Sequence, residues 1–242
     1  MCQICEHQQQ ENSRRGFLGL LGAATAGYAL AGNAFAAEVK VPPKPQNVVS
    51  PDAALTLLTA GNKRYVEGVT RRHDFRNERE PLAKGQNPYA AILSCADSRI
   101  APELAFDSAR GDLFVCRVAG NFANDDIVAS LEYAVAVLKT PLIMVLGHSA
   151  CGAIAATIDS LRDNTTLPGH LPSLVASLSG AVRASEGKPG DLLENAITKN
   201  VSDTVQKLKT AAPILSAGVA QAKLRIVGGV YRLADGHVDI TA

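Results

Sequence analysis

A chain of 242 residues, 47% of them apolar, can bury a sizeable core and has length for one domain plus an N-terminal extension. A formal net charge of +1 with no basic stripe argues against nucleic acid and anionic membrane surfaces as partners. Few aromatic residues and no Trp argue against carbohydrate or base-stacking platforms.

The extension is predicted to be residues 1–36. Ser13-Arg14-Arg15-Gly16-Phe17-Leu18 precedes a mildly apolar run from Gly19 to Ala31, and Ala34-Phe35-Ala36 follows. Paired Arg, a run diluted by Gly and Ala, and an A-x-A site resemble a twin-arginine export signal. A membrane anchor fits less well, because the run is short, broken by Gly and followed by Asn33. The expectation is cleavage after Ala36 and a periplasmic or otherwise exported protein. Its partners would include the twin-arginine export machinery, with no stable membrane insertion.

Five cysteines occur, and Cys2 and Cys5, with His7 nearby, fall inside the segment expected to be removed. Cys95, Cys116 and Cys151 remain. An odd set suits a disulfide scaffold poorly in an exported protein, and suits two thiolates tied to a metal well.

Residues 37–49 read as a linker or N-terminal arm. Ser50-Pro51 is a helix start, with Ser50 as N-cap and Pro51 at the first helical position. Leu55, Leu58 and Tyr65 carry the helix to about Gly68. Residues 70–88 form a surface loop with a short helix near Glu80–Lys84. Tyr89–Leu93 is a continuous apolar run, the pattern of a strand buried on both faces, and Leu113–Val118 is a second strand. Asp125 or Asp126 can cap a helix over Ile127–Leu138. Pro141–Leu146 is a third buried strand ending at His148, and Cys151–Leu161 is the next helix. Helical patterns then cover Ser173–Ser185 and Leu192–Ala211. Ala222–Leu233 is a last strand, with Asp235-Gly236 turning it into His237–Ile240. Strands alternating with helices predict an α/β fold with a mainly parallel central sheet flanked by helices.

In such sheets ligands bind beyond the carboxyl ends of the strands. Cys95 follows one strand and His148 another, while Cys151 lies three residues on at a turn into a helix. Each alone could be an inert core residue or a cap. Together, with Asp97 and Arg99 beside them, two sulfurs and an imidazole form a borderline-soft donor set suited to zinc. Three protein donors leave a fourth position for water, whose pKa bound zinc lowers towards ~7.

Cys95-Ala96-Asp97-Ser98-Arg99 followed by His148-Ser149-Ala150-Cys151-Gly152 resembles the β-class carbonic anhydrases. Gly61-Asn62-Lys63-Arg64-Tyr65, Gly111–Val115, Leu131–Ala134 and Gly228–Tyr231 resemble the family in the same order. The resemblance spans about residue 50 to the C-terminus. It implies a β-carbonic anhydrase-like catalytic domain over 50–242 that hydrates carbon dioxide reversibly to bicarbonate, with one zinc per subunit on Cys95, His148 and Cys151. It also implies a dyad in which Arg99 holds Asp97 off the metal in an open state, while Asp97 takes the fourth position in a closed one. Gln86, nine positions before Cys95, with Phe114 and Tyr133, resembles the substrate pocket of the plant-like subgroup. In the family Gln and Tyr can come from a neighbouring subunit, so a homodimer or higher oligomer is implied. Val118 stands where the family more often has Asn, and Ala153 where a second Gly is common. No His is a sequence-based candidate for proton shuttling. The alternatives are carbon disulfide or carbonyl sulfide hydrolysis on the same scaffold, and a non-catalytic zinc or bicarbonate-binding module. A cysteine hydrolase built on Cys151 and His148 leaves Cys95 unexplained.

Overall fold

A computed structural model of the chain describes residues 49–241. The expected export signal, its cleavage site and residues 37–48 of the arm lie outside the described residues. No helix among the described residues is long and apolar enough to cross a membrane.

Helix α1 (Pro51–Val66) begins as expected. Ser50 is extended and its Oγ accepts a hydrogen bond from the Ala53 amide at 3.2 Å. Asp52 in the first turn and Lys63 and Arg64 in the last complement the helix dipole. The loop that follows carries the short α2 (Arg79–Lys84).

The core is a five-stranded sheet in the order β2-β1-β3-β4-β5. Its members are β1 (Ala90–Ser94), β2 (Leu113–Arg117), β3 (Leu142–His148), β4 (Arg225–Tyr231) and β5 (Val238–Ile240). All pairings are parallel except β4 with β5, the hairpin announced by Asp235-Gly236. Every residue of β1 and β3 is buried, which is why both read as unbroken apolar runs.

Alternate side chains serve opposite faces. Leu93, Ile143 and Val145 join one cluster, under α4 (Asp125–Ala136), α5 (Gly152–Arg162), α6 (Leu171–Arg183), α7 (Leu192–Thr210) and α8 (Ile214–Ala220). Ile92, Met144 and Leu146 join the other, with Ala54 and Leu58 of α1 and with Phe106, which follows α3 (Pro102–Ala105). The stripe Ile197, Val201, Val205 and Leu208 lies buried along α7.

Three expectations shift in detail. Asn124, not Asp125 or Asp126, caps α4: its Oδ1 accepts from the Ile127 amide at 3.0 Å, leaving both aspartates in the first turn, where the dipole favours them. The last parallel strand starts at Arg225 rather than Ala222. Residues 222–224 are taken up by a turn in which Lys223 and Leu224 both donate to the Gly218 carbonyl. The short helices α3 and α8 add to the expected set.

Asn62 ties α1 to the rest. Its amide donates to the carbonyls of Ala105 and Gly236, and its Oδ1 accepts from the Val238 amide. This requires close approach, and Gly61 permits it: a Cβ there would lie 1.9 Å from the Phe106 carbonyl oxygen. Helix propensity alone favours Gly→Ala by ~1 kcal/mol. The clash is with backbone, however, and overpacking costs ~1–3 kcal/mol or more. Gly61→Ala is therefore expected to be less stable than the parent by ~1 kcal/mol or more, read as a lower urea midpoint; a raised midpoint would contradict the packing.

Asp107 closes the same region. Its carboxylate is buried in a left-handed residue (φ 42°), accepts from Arg64 Nε at 2.5 Å and from the Arg71 amide at 3.1 Å. Burial pushes its pKa up, but these hydrogen bonds outweigh it and hold the carboxyl below its usual value. A depressed folded pKa contributes stability that is present above ~3.9 and is lost as pH falls through the folded value. Asp107→Asn should thus lose ~1–3 kcal/mol at pH 7. The gap to the parent should narrow below about pH 4, as unfolding curves at both pH values would show.

Candidate metal centre

The carboxyl ends of β1, β2, β3 and β4 share one edge of the sheet. The register pairs Ser94 with Leu146 and with Arg117, and His148 with Tyr231. Cys95, the first residue past β1, and His148, the last of β3, therefore reach the same edge. Gly147 lets α7 close over it, since a Cβ there would stand 2.6 Å from Val201 Cγ2. Ser149-Ala150 then turns the chain, with Ala150 left-handed (φ 52°), so that Cys151 becomes the N-cap of α5.

The result is a convergent donor group. One ligand atom each from Cys95, His148 and Cys151 lies within 4.8 Å of the others, and all three residues are buried. His148 Nδ1 sits 2.9 Å from the Ser149 carbonyl oxygen, to which it can only donate. That fixes the tautomer and leaves Nε2 as a bare acceptor, buried and without a hydrogen-bond partner. An orphaned buried nitrogen beside two buried sulfurs is what a zinc-type cation would satisfy. The Cys95 thiol is drawn down, first by its hydrogen bond with Cys151, while Cys151 is pushed up, first by Cys95 and then by burial. A divalent cation held there would need both sulfurs as thiolates.

Cys95 is held from behind as well. The Gly120 amide donates to its Sγ at 3.3 Å, and Asn200 of α7 donates to the Gly120 carbonyl at 2.8 Å.

Asp97 and Arg99 form a locked pair at the rim. Arg99 Nε donates to Oδ1 at 2.9 Å and Nη2 to Oδ2 at 2.7 Å, and the Arg99 amide adds a bond to Oδ1 at 2.9 Å. Arg99 Nη2 also donates to the Ala150 carbonyl, linking the dyad to the turn before Cys151. The Arg99 guanidinium holds the Asp97 carboxyl well below the usual carboxylate range, against a smaller push from burial. Asp97 Oδ2 lies 3.9 Å from His148 Nε2, so the carboxylate stands beside the donor group without using it.

The other three expected site residues lie elsewhere in the chain. Gln86 is exposed and precedes β1, at the strand end opposite Cys95. A five-residue strand spans ~16 Å. Phe114 pairs with Ala91, four residues short of Cys95. Its ring lies 6.2 Å from that of Tyr133, which is 48% exposed on α4. Phe114 and Tyr133 are thus together, but one chain does not bring them, or Gln86, to the sulfurs.

A protein-family model described as carbonic anhydrase matches residues 90–238. The carbonic anhydrase of Mycolicibacterium smegmatis is 35% identical over 192 residues, covering 79% of this chain and 93% of the relative. Carbonic anhydrase 2 of Mycobacterium tuberculosis is 38% identical over 190 residues, covering 78% and 91%. Among solved structures, that of the β-carbonic anhydrase CcaA is similar with a TM-score of 0.60 at 31% identity, covering 78% of this chain and 98% of that one.

Proposed function

The chain belongs to the β-class carbonic anhydrase family, and on that premise we propose that Cys95, His148 and Cys151 hold one zinc ion per chain. The enzyme interconverts carbon dioxide and bicarbonate. The observation that carries the metal assignment is the buried, partnerless His148 Nε2 converging on two buried sulfurs. Zinc held there would supply a Lewis acid able to bring the pKa of a water towards ~7.

The protein's own groups do the rest. Ser149 fixes the imidazole through its carbonyl. Arg99 keeps Asp97 ionised and fixes both its oxygens. Asp97 then offers the attacking water a fixed acceptor, so that the water's proton points away from the incoming carbon and its lone pair towards it. The bidentate grip of Arg99 on Asp97 corresponds to the open arrangement.

We assign the substrate pocket to Gln86, Phe114 and Tyr133, as in the plant-like subgroup, with Gln86 donating to substrate and the rings walling it. Since these side chains sit away from the sulfurs in one chain, the pocket is completed across a homodimer or a higher oligomer. Export rests on the Arg14-Arg15 signal; an intact mass starting at Ala37 would support it, and one starting at Met1 would refute it. Hydration of carbon dioxide, followed by stopped flow with and without chelator, tests the activity. Faster turnover of carbonyl sulfide or carbon disulfide would overturn the substrate assignment.

A further inference from the structure

The β1–β2 ladder ends where the site begins. The Val118 amide donates to the Ser94 carbonyl at 3.1 Å, and beyond it the carbonyls of the 95–100 loop have no strand opposite. Arg117, the last residue of β2, takes them. Its Nε donates to the Cys95 carbonyl at 3.0 Å, and its Nη2 donates to the Asp97 carbonyl at 2.7 Å and the Ile100 carbonyl at 3.0 Å. Here one rigid fork spans the loop that carries a sulfur donor at its start and the Asp97–Arg99 dyad in its middle.

We propose that Arg117 is a positioning residue for this site: by gripping three carbonyls it sets the Cys95 sulfur against His148 and Cys151 and sets Asp97 beside them. It touches neither substrate nor any donor atom. The geometry needs a planar fork rather than a charge. A Lys ammonium is a point donor on a flexible stem and cannot reproduce two nitrogens on three oxygens. Arg117, on the Cys95 carbonyl, therefore complements the Gly120 amide, which donates to the Cys95 sulfur. The inference rests on the zinc carbonic anhydrase reading.

The test compares Arg117→Lys and Arg117→Gln in the full enzyme. Zinc affinity is measured by competition with a chromophoric chelator, alongside kcat, KM and circular dichroism. Both variants are expected to fold, to lose roughly 10–100-fold in zinc affinity, as disturbed outer-shell groups do, and to lose kcat with KM nearly unchanged. Parental zinc affinity and kcat in either variant would overturn the proposal. So would full rescue by Lys, which would make charge and not the fork responsible. Failure of both variants to fold would make Arg117 a residue of the fold rather than of the site. A parent that binds no zinc would instead defeat the reading beneath.

Discussion

Replacing His148 or Cys151 by alanine is expected to remove zinc and carbon dioxide hydration together. Each supplies one of three buried donors whose ligand atoms lie within 4.8 Å of one another. With one gone, two protein donors remain, short of the three that catalytic zinc sites use. His148 is fully buried, its Nδ1 bond to Ser149 presents Nε2, and the carboxylate beside it, Asp97, is held on both oxygens by Arg99. Cys151 is fixed as the N-cap of α5, and Ser149, two residues before it, is engaged elsewhere, its Oγ accepting from the Leu233 amide. Without the metal no group in the site brings a water's pKa near neutrality, and turnover should fall to the uncatalysed background. Elemental analysis and stopped flow on the same samples check this. Stoichiometric zinc retained by both variants would refute the ligand assignment.

Asp97→Asn is expected to separate binding from turnover. The substitution leaves all three donors in place, so zinc content should match the parent. The dyad does not survive it. Both Asp97 oxygens accept from Arg99, so an amide puts an N–H group against a guanidinium N–H. The acceptor offered to the attacking water then loses its charge and its orientation. A fall in kcat of roughly 100-fold or more is expected, the range for a positioned acid–base group. The variant should also lose the pair's acid tolerance. Asp97 is held ionised well below the usual carboxylate range, so in the parent the dyad persists into mildly acidic solution. Parental kcat in Asp97→Asn would assign the dyad to structure alone.

The sheet and the donor group were legible for a physical reason. Strands buried on both faces must be continuously apolar, and Cys95 and His148 mark where two such runs stop. The Ser50 cap and the Asp235-Gly236 turn are local chemistry, visible in a few residues. What escaped was either short or distant. Four-residue α3 carries no full period, and α8 follows α7 too closely to separate. Asn124 stands next to two aspartates of similar capping power, and the sequence does not rank the three. Arg117 and Asn200 act through backbone carbonyls 22 and 80 residues away in sequence, and no local pattern announces such bonds. The Gly120 amide on Cys95 has no side-chain signature at all. Gln86, Phe114 and Tyr133 rest on resemblance: Gln86 precedes β1, Phe114 pairs with Ala91 four residues before Cys95, and the Tyr133 ring lies near that of Phe114.

Zinc titration of metal-stripped enzyme is the most direct measurement. Carbon dioxide hydration should be at background without metal, rise in proportion to bound zinc and saturate at about one zinc per chain. Full activity in the stripped protein, or saturation with zinc without hydration, would contradict a zinc carbonic anhydrase built on Cys95, His148 and Cys151.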